Sequence, residues 1–277
     1  MSQLPILIIG GAGKTGGRVN ALLQARGIPT RAVSRSTTPS FDWTRPESWV
    51  AALDGVSKAY VTFQPDLAVP GAVAIVEAFF KQAVASGVTR LVLLSGRGEV
   101  EAEEAEQALQ AAGADWTILR ASWFSQNFSE SVFLDAIQAG EVALPSGPAA
   151  EPFVDVDDIA DIAFAALTEE GHSHQLYDIT GPRALTFAEA IGEIAQATGR
   201  DIRFTAAPPA EYRAELIAQG VPSVDADLVI YLFTTVLDGR NTPVADGVQR
   251  ALGRAPRDFS DYVRRTAATG IWGGSHV

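Results

Sequence analysis

The 277-residue chain has no cysteine, one methionine and only three lysines, Lys14, Lys58 and Lys81. Without cysteine there are no disulfides, thiolate metal sites or cysteine nucleophiles. Basic residues are scarce overall: 21 lysines and arginines stand against 33 acids, a formal charge of −12. Such a surface repels phosphate backbones, so no nucleic-acid partner is expected. Long apolar runs are missing too. The opening run covers only Ile6 to Ile9 and follows no basic leader, so it reads as a first strand and not a signal peptide. The most apolar later stretch, Leu228 to Leu237, is about half of the ~20 residues a membrane span needs. The expectation is a cytoplasmic chain, monomer or homodimer, with a small-molecule substrate and no membrane partner.

What the chain does have is apolar surface to bury. Hydrophobic residues make up 47% and charged residues 19%, which suits a large core. Short apolar runs predict strands at Pro5–Ile9, Thr30–Ser34, Ala59–Phe63, Arg90–Ser95 and Asp115–Arg120. Amphipathic stretches predict helices between them, at Gly17–Arg26, Pro46–Leu53, Gly71–Ser86 and Glu101–Ala112. Strands alternating with helices imply parallel neighbours, because parallel pairs need long return connections. Beyond Arg120 the rhythm loosens. Phe128–Ala139, Ile159–Thr168 and Phe187–Thr198 read as helices, and Gln175–Ile179 as a late strand. Pro208 to Arg257 reads as mostly helical, interrupted at Pro222, Pro243 and Pro256. The fold class is α/β: a Rossmann-type doubly wound parallel sheet over residues 1–155, with a smaller, mostly helical substrate lobe over 156–277, interleaved with the core.

The strongest local motif is Gly10-Gly11-Ala12-Gly13-Lys14-Thr15-Gly16, a G-x-x-G-x-x-G run that follows a strand and opens a helix. Gly10 permits a tight turn, Gly13 lets backbone approach a pyrophosphate, and Gly16 lets the helix pack close to the strand. An NAD site places an acid about 20 residues beyond such a loop, to bond the ribose 2′-hydroxyl. Here that place reads Val33-Ser34-Arg35-Ser36. Arg35 can neutralise a 2′-phosphate, and Ser34 and Ser36 can donate to it, so NADP is the expected cofactor. Lys14 adds positive charge beside the phosphates.

One catalytic device is absent. Classical short-chain dehydrogenases move a proton with a tyrosine whose pKa is lowered by a lysine four residues on. The tyrosines here are Tyr60, Tyr177, Tyr212, Tyr231 and Tyr262, and four residues later stand Gln64, Gly181, Leu216, Thr235 and Thr266. Either the protein binds NADP without reducing anything, as a redox sensor or regulator, or its hydride acceptor needs no strong protein acid. An iminium ion meets the second condition, because hydride converts the cation directly to a neutral amine. A quinone or conjugated carbonyl is the nearest alternative.

The chain resembles the NmrA-like branch of the atypical short-chain dehydrogenases/reductases. The resemblance rests on the Ile9–Gly16 loop, Val33–Ser36, Phe41-Asp42-Trp43, Arg90–Ser95, Trp116–Arg120, Trp123–Phe128, Phe153–Ala160 and Gly181-Pro182. Within that branch the pattern is similar to the ergot-alkaloid reductases of the agroclavine or festuclavine type, which reduce an iminium. The resemblance implies that Gly10, Gly13, Lys14, Thr15 and Gly16 hold the pyrophosphate, and Ser34, Arg35 and Ser36 the 2′-phosphate. It puts Asp42 and Trp43 by the adenine, and Thr62, Phe63 and Gln64 by ribose and nicotinamide. It brings Ser95, Gly96 and Arg97 to the nicotinamide edge, with Arg97, Trp123, Phe124 and Asn127 toward the substrate. Ser95, Trp123 and Asn127 are the catalytic candidates. Many relatives carry a lysine between Gly98 and Gln107, where this chain has Glu99, Glu101, Glu103, Glu104 and Glu106.

Several of these residues also have plainer readings. The glutamate run reads as a solvated helix face, with Glu101 or Glu104 as the alternative attractor of a cationic substrate. Asp155, Asp157 and Asp158 precede Ile159-Ala160 and read as a helix start, with no metal. His172 and His174 read as loop residues, and His276 as tail, with no metal site expected. Arg120 reads as a structural anchor at a strand end. Trp123 and Phe124 fit a substrate wall or a core equally well.

Overall fold

The computed structural model describes residues 4–131 and 133–273; His276 lies outside them. In chain order the first half runs β1 (Ile6–Ile9), α1 (Lys14–Ala25), β2 (Thr30–Val33), α2 (Glu47–Leu53), β3 (Lys58–Val61), α3 (Ala72–Ala85), β4 (Arg90–Gly96), α4 (Val100–Ala111) and β5 (Asp115–Ala121). A 3₁₀ turn (Ser125–Phe128), α5 (Phe133–Ala139), β6 (Glu141–Leu144), α6 (Val156–Thr168) and β7 (Gln175–Ile179) follow. Then come α7 (Phe187–Thr198), β8 (Arg203–Ala206), α8 (Pro209–Ala218) and α9 (Ser223–Tyr231), which runs on into a π-helical turn (Leu232–Val236). The last elements are α10 (Gly247–Leu252) and α11 (Phe259–Ala267). Among the described residues, no helix is long and apolar enough to cross a membrane.

Two compact units divide the chain. One holds residues 1–121, 156–179 and 246–254, and the other residues 122–155, 180–245 and 255–277. A single boundary near residue 155 therefore does not describe them. The reason is strand pairing: β7 adds to the sheet edge in parallel with β5, from Thr117 opposite Gln175 to Ala121 opposite Ile179. That ladder carries α6 and β7 back into the first unit.

The first unit is built on a six-stranded parallel sheet in the order β2-β1-β3-β4-β5-β7. Its central strands are apolar on both faces, as Ile6, Leu7, Ile8 and Ile9 show, because helices cover both sides of such a sheet. One face closes on an aromatic cluster in which Trp43 lies 4.9 Å from Phe41, 5.0 Å from Phe63 and 5.1 Å from Phe79, ring centre to ring centre. The chain reverses direction of travel across the sheet at β1, with β2 on one side and β3 on the other. Open α/β sheets gather ligands at that switch point, beyond the carboxyl ends of the strands.

The second unit packs Phe128, Phe153, Phe187, Phe233, Phe259 and Trp272 into its own core. It is not purely helical. β6 and β8 form a parallel pair, and Val142 and Leu144 alternate inward from it. The expected helix over Phe128–Ala139 is a 3₁₀ turn followed by α5. Serines flank the break, and the Ser129 hydroxyl accepts a 2.7 Å bond from Tyr262, which favours a turn over continued helix.

Candidate functional site

The glycine loop forms the turn from β1 into α1. Gly10 has φ +68°, the left-handed region, and a Cβ there would sit 2.9 Å from the Thr62 methyl. A Cβ on Gly16 would lie 2.4 Å from the Gly10 carbonyl oxygen, so any side chain would push α1 off the strand end. No side chain caps α1, and the first-turn N–H groups of a helix have no intrahelical acceptor. Thr62 and Gln64 leave β3 beside this loop, with the Gln64 amide near both Gly10 and Gly13. The observed cradle therefore fits a pyrophosphate: glycines that admit a close approach and a helix dipole of the right sign. Thr15 is buried beneath the loop, while Lys14 is half-buried at the start of α1.

Ser34, Arg35 and Ser36 follow β2, the strand next to the loop. Arg35 and Ser36 are exposed, and the Ser34 and Ser36 hydroxyls are 3.1 Å apart. No acid stands among them, so the residues fit a phosphorylated ribose. The segment beyond is more inward than the sequence suggests. Trp43 is core, its indole N–H donating to the Thr62 carbonyl at 3.3 Å, and Phe63 packs against it. The Asp42 carboxylate accepts from the Thr44 N–H and hydroxyl at 2.9 and 2.8 Å, which holds its pKa below the ordinary value.

Around the end of β4, the glutamate run proves to be divided. Glu103 and Glu104 are exposed, but Glu106 is 2% exposed and Glu99 8%. Glu106 accepts from the Ser95 hydroxyl at 2.6 Å and from Arg120 Nε at 2.9 Å, so it ties α4 to β4 and β5. Ser95 thus faces α4, and Arg120 is the anchor its strand-end place implied. Arg97 pairs with Asp178 of β7 at 2.9 Å. Glu99 turns back onto Gly96, where its carboxyl atoms lie 2.2–2.3 Å from the place a Cβ would take. Asp66, in the loop after β3, is hydrogen-bonded to it, and burial with that negative neighbour pushes the Glu99 carboxyl well above the usual carboxylate range. Sequence reasoning missed Glu99 and Glu106 because a run of acids reads as surface, and Asp66 because it stands alone in a loop with no motif around it. The one available signal was the place of Glu99 between a strand end and a helix start.

None of Tyr60, Tyr177, Tyr212 and Tyr262 is made more acidic by its surroundings. Burial pushes the phenols of Tyr60, Tyr177, Tyr212 and Tyr262 upward, away from neutral pH. Lys58 donates to the Leu167 carbonyl at 2.6 Å, and Lys81 bonds Glu77. The aspartates before α6 each have a basic partner: Asp155 with Arg265, Asp157 with Arg18, Asp158 with Arg254. His172 bonds the Tyr177 hydroxyl at 2.9 Å, while His174 packs on Trp116. Among the described residues, no group of three or more His, Asp or Glu side chains could hold a metal.

In the second unit, Trp123, Phe124 and Asn127 share the segment that leads into and through the 3₁₀ turn. Trp123 is half-buried, 4.9 Å from Phe233 and 5.3 Å from Phe187. Phe124 bridges in parallel to Val154, and the Asn127 N–H donates to the Phe124 carbonyl at 3.0 Å. The turn fixes where these three side chains start.

No family model matches the chain. It is 30% identical over 285 residues to an NAD(P)H azoreductase of Xenophilus azovorans, an alignment covering 95% of this chain and 98% of that one. It is 28% identical over 291 residues to a festuclavine dehydrogenase of Aspergillus fumigatus, covering 96% and 98%. Among solved structures it superimposes on the Citrobacter sp. triphenylmethane reductase complexed with NADP(H), with a TM-score of 0.79, 20% identity and coverage of 95% and 99%.

Proposed function

The chain belongs to the NmrA-like branch of the atypical short-chain dehydrogenases/reductases, and from that premise we propose an NADPH-dependent reductase whose acceptor is a cyclic imine or iminium. As a member it is an NAD(P)H-dependent oxidoreductase. The choice of NADP rests on Arg35, flanked by Ser34 and Ser36 where an NAD site has an acid. When bound, the nicotinamide supplies a hydride. The loop of Gly10, Gly13, Lys14, Thr15 and Gly16 holds the pyrophosphate, and Thr62 and Gln64 border the ribose. Trp123, Phe124 and Asn127 are the acceptor-side residues of this reading, offering a π-rich wall suited to a cation.

The observation that carries the acceptor class is the state of the tyrosines: four are shifted away from acidity by burial. An acceptor that leaves no alkoxide suits such a site. The azo bond is a second acceptor class, supported by the 30% identity to the azoreductase. The test is NADPH oxidation by the purified chain with a cyclic imine, a quinone, an azo dye and an aldehyde in turn. The imine is expected to turn over fastest. No turnover with any of them, alongside tight NADP binding, overturns the reading in favour of a redox sensor.

A further inference from the structure

A chain in which no tyrosine has a lysine four residues on still holds a proton in a place where reduction could use it. Glu99 stands just ahead of α4, and its side chain makes no capping bond to that helix. It folds back so that the carboxyl lies flat on Gly96, the last residue of β4, in space that any side chain at 96 would fill. This is the carboxyl end of the strand, the edge at which doubly wound sheets collect their ligands. Asp66 reaches the same point from the loop after β3, and the two carboxyl groups are hydrogen-bonded to each other. Two carboxylates that close cannot both be ionised at modest cost, so the pair retains a proton. The charged groups facing Glu99, Asp66 and Glu101, are both acids. Glu99 is 8% exposed, so its carboxyl is nearly closed to bulk water.

We propose that Glu99, hydrogen-bonded to Asp66 and seated on Gly96, donates the proton consumed when a neutral imine is reduced. The inference rests on the reductase reading above and supplies an acid in place of the missing tyrosine–lysine pair. As the cofactor's hydride adds to the imine carbon, the Glu99 O–H bond breaks and an N–H bond forms. The imine becomes an amine, the cofactor is left oxidised, and Glu99 is left a carboxylate. Glu99 then repels the Asp66 carboxylate, which favours return of a proton from solvent. Asp66 is a positioning residue, acting only by holding the proton on Glu99.

The test compares two matched acceptors near neutral pH: trimethylindolenine, a weakly basic imine, and its N-methyl indolium salt, which needs no proton. Glu99→Gln is expected to lose about 10²–10⁴-fold in kcat on the imine, the usual worth of a general acid, and less than about threefold on the indolium. Asp66→Asn removes the negative neighbour, so the alkaline limb of the imine pH profile should move to lower pH. An infrared difference spectrum of the chain without cofactor should show a protonated carboxyl at neutral pH that Glu99→Gln removes. Equal losses on both acceptors, no loss on either, or an ionised carboxyl at neutral pH would each overturn the proposal. A wild-type chain that reduces neither acceptor while keeping the carboxyl band overturns the imine reading, and the donor role with it.

Discussion

An arginine just past β2 can meet a 2′-phosphate through a fork of N–H donors, and each charge-assisted bond of that kind is worth about 1.5–3 kcal/mol. NADH offers no such phosphate. Arg35→Ala should therefore raise the NADPH dissociation constant by about 10-fold or more, with little change for NADH, as fluorescence titration would read. Equal losses for both cofactors would remove Arg35 from the recognition of the 2′-phosphate. The tyrosines carry a second expectation. Each Tyr→Phe variant at Tyr60, Tyr177, Tyr212, Tyr231 and Tyr262 should keep kcat within about tenfold of wild type, a barrier change of about 1.4 kcal/mol or less. One phenylalanine that abolishes hydride transfer while NADPH still binds would expose an acid on that residue. Glu99 makes a third, through stability. Burial, then Asp66 and Glu101, raise its folded-state pKa above the unfolded value of about 4.3. The folded chain then holds a proton that the unfolded chain releases, so its contribution is complete below about pH 4.3 and is lost as pH rises through the folded value. Across that window, urea unfolding should show wild type losing stability relative to Glu99→Gln.

Elements were legible in the sequence where their pattern had to serve one buried face. β7 runs over Gln175–Ile179 as read from the sequence, and the glycine spacing located the α1 start because few other residues fit those positions. β6 and β8 were not legible: each has four residues, and Arg203, Thr205 and Ala206 are exposed, so β8 has little apolar signature. Glu106 of α4 was misread for a related reason, while Glu103 and Glu104 are exposed as their charge implied. Charge predicts exposure unless a partner waits in space, and the partners of Glu106 lie on two other strands. Ser95, Arg120 and Glu106 bind α4 to β4 and β5 in one buried network. Glu106→Ala would leave the Arg120 guanidinium with Glu103 at 3.8 Å. The expected cost is about 2–4 kcal/mol in urea unfolding, below that of a fully buried pair because Arg120 is partly open to water. Glu106→Leu combined with Arg120→Met should recover part of that loss, since no charge is then stranded. A Glu106→Ala variant as stable as wild type would show that water, not the carboxylate, satisfies Arg120.

At the scale of the whole molecule, the path of the chain matters more than the number of its lobes. The backbone leaves the sheet unit after Ala121, returns for Val156–Ile179, leaves again, and returns once more for Asp246–Arg254. A reading along the sequence sees one transition near residue 155, because periodicity is local and a returning strand looks like any other. The returning segment is not ornament. Val156, Ile159, Ile162 and Leu167 of α6 are each fully buried, and burial of one such side chain is worth about 1.5–3 kcal/mol. Four together approach the whole stability of a typical domain, about 5–15 kcal/mol. β7 also closes the open edge of β5, whose backbone donors and acceptors would otherwise face water or another chain. A fragment of residues 1–155 is therefore expected to unfold without a cooperative thermal transition, and to associate through the bare edge of β5. Extending it to residue 179 should restore a cooperative transition by circular dichroism. A fragment ending at 155 that melts cooperatively as a monomer would show that the sheet needs neither α6 nor β7, and that the unit can be cut there after all.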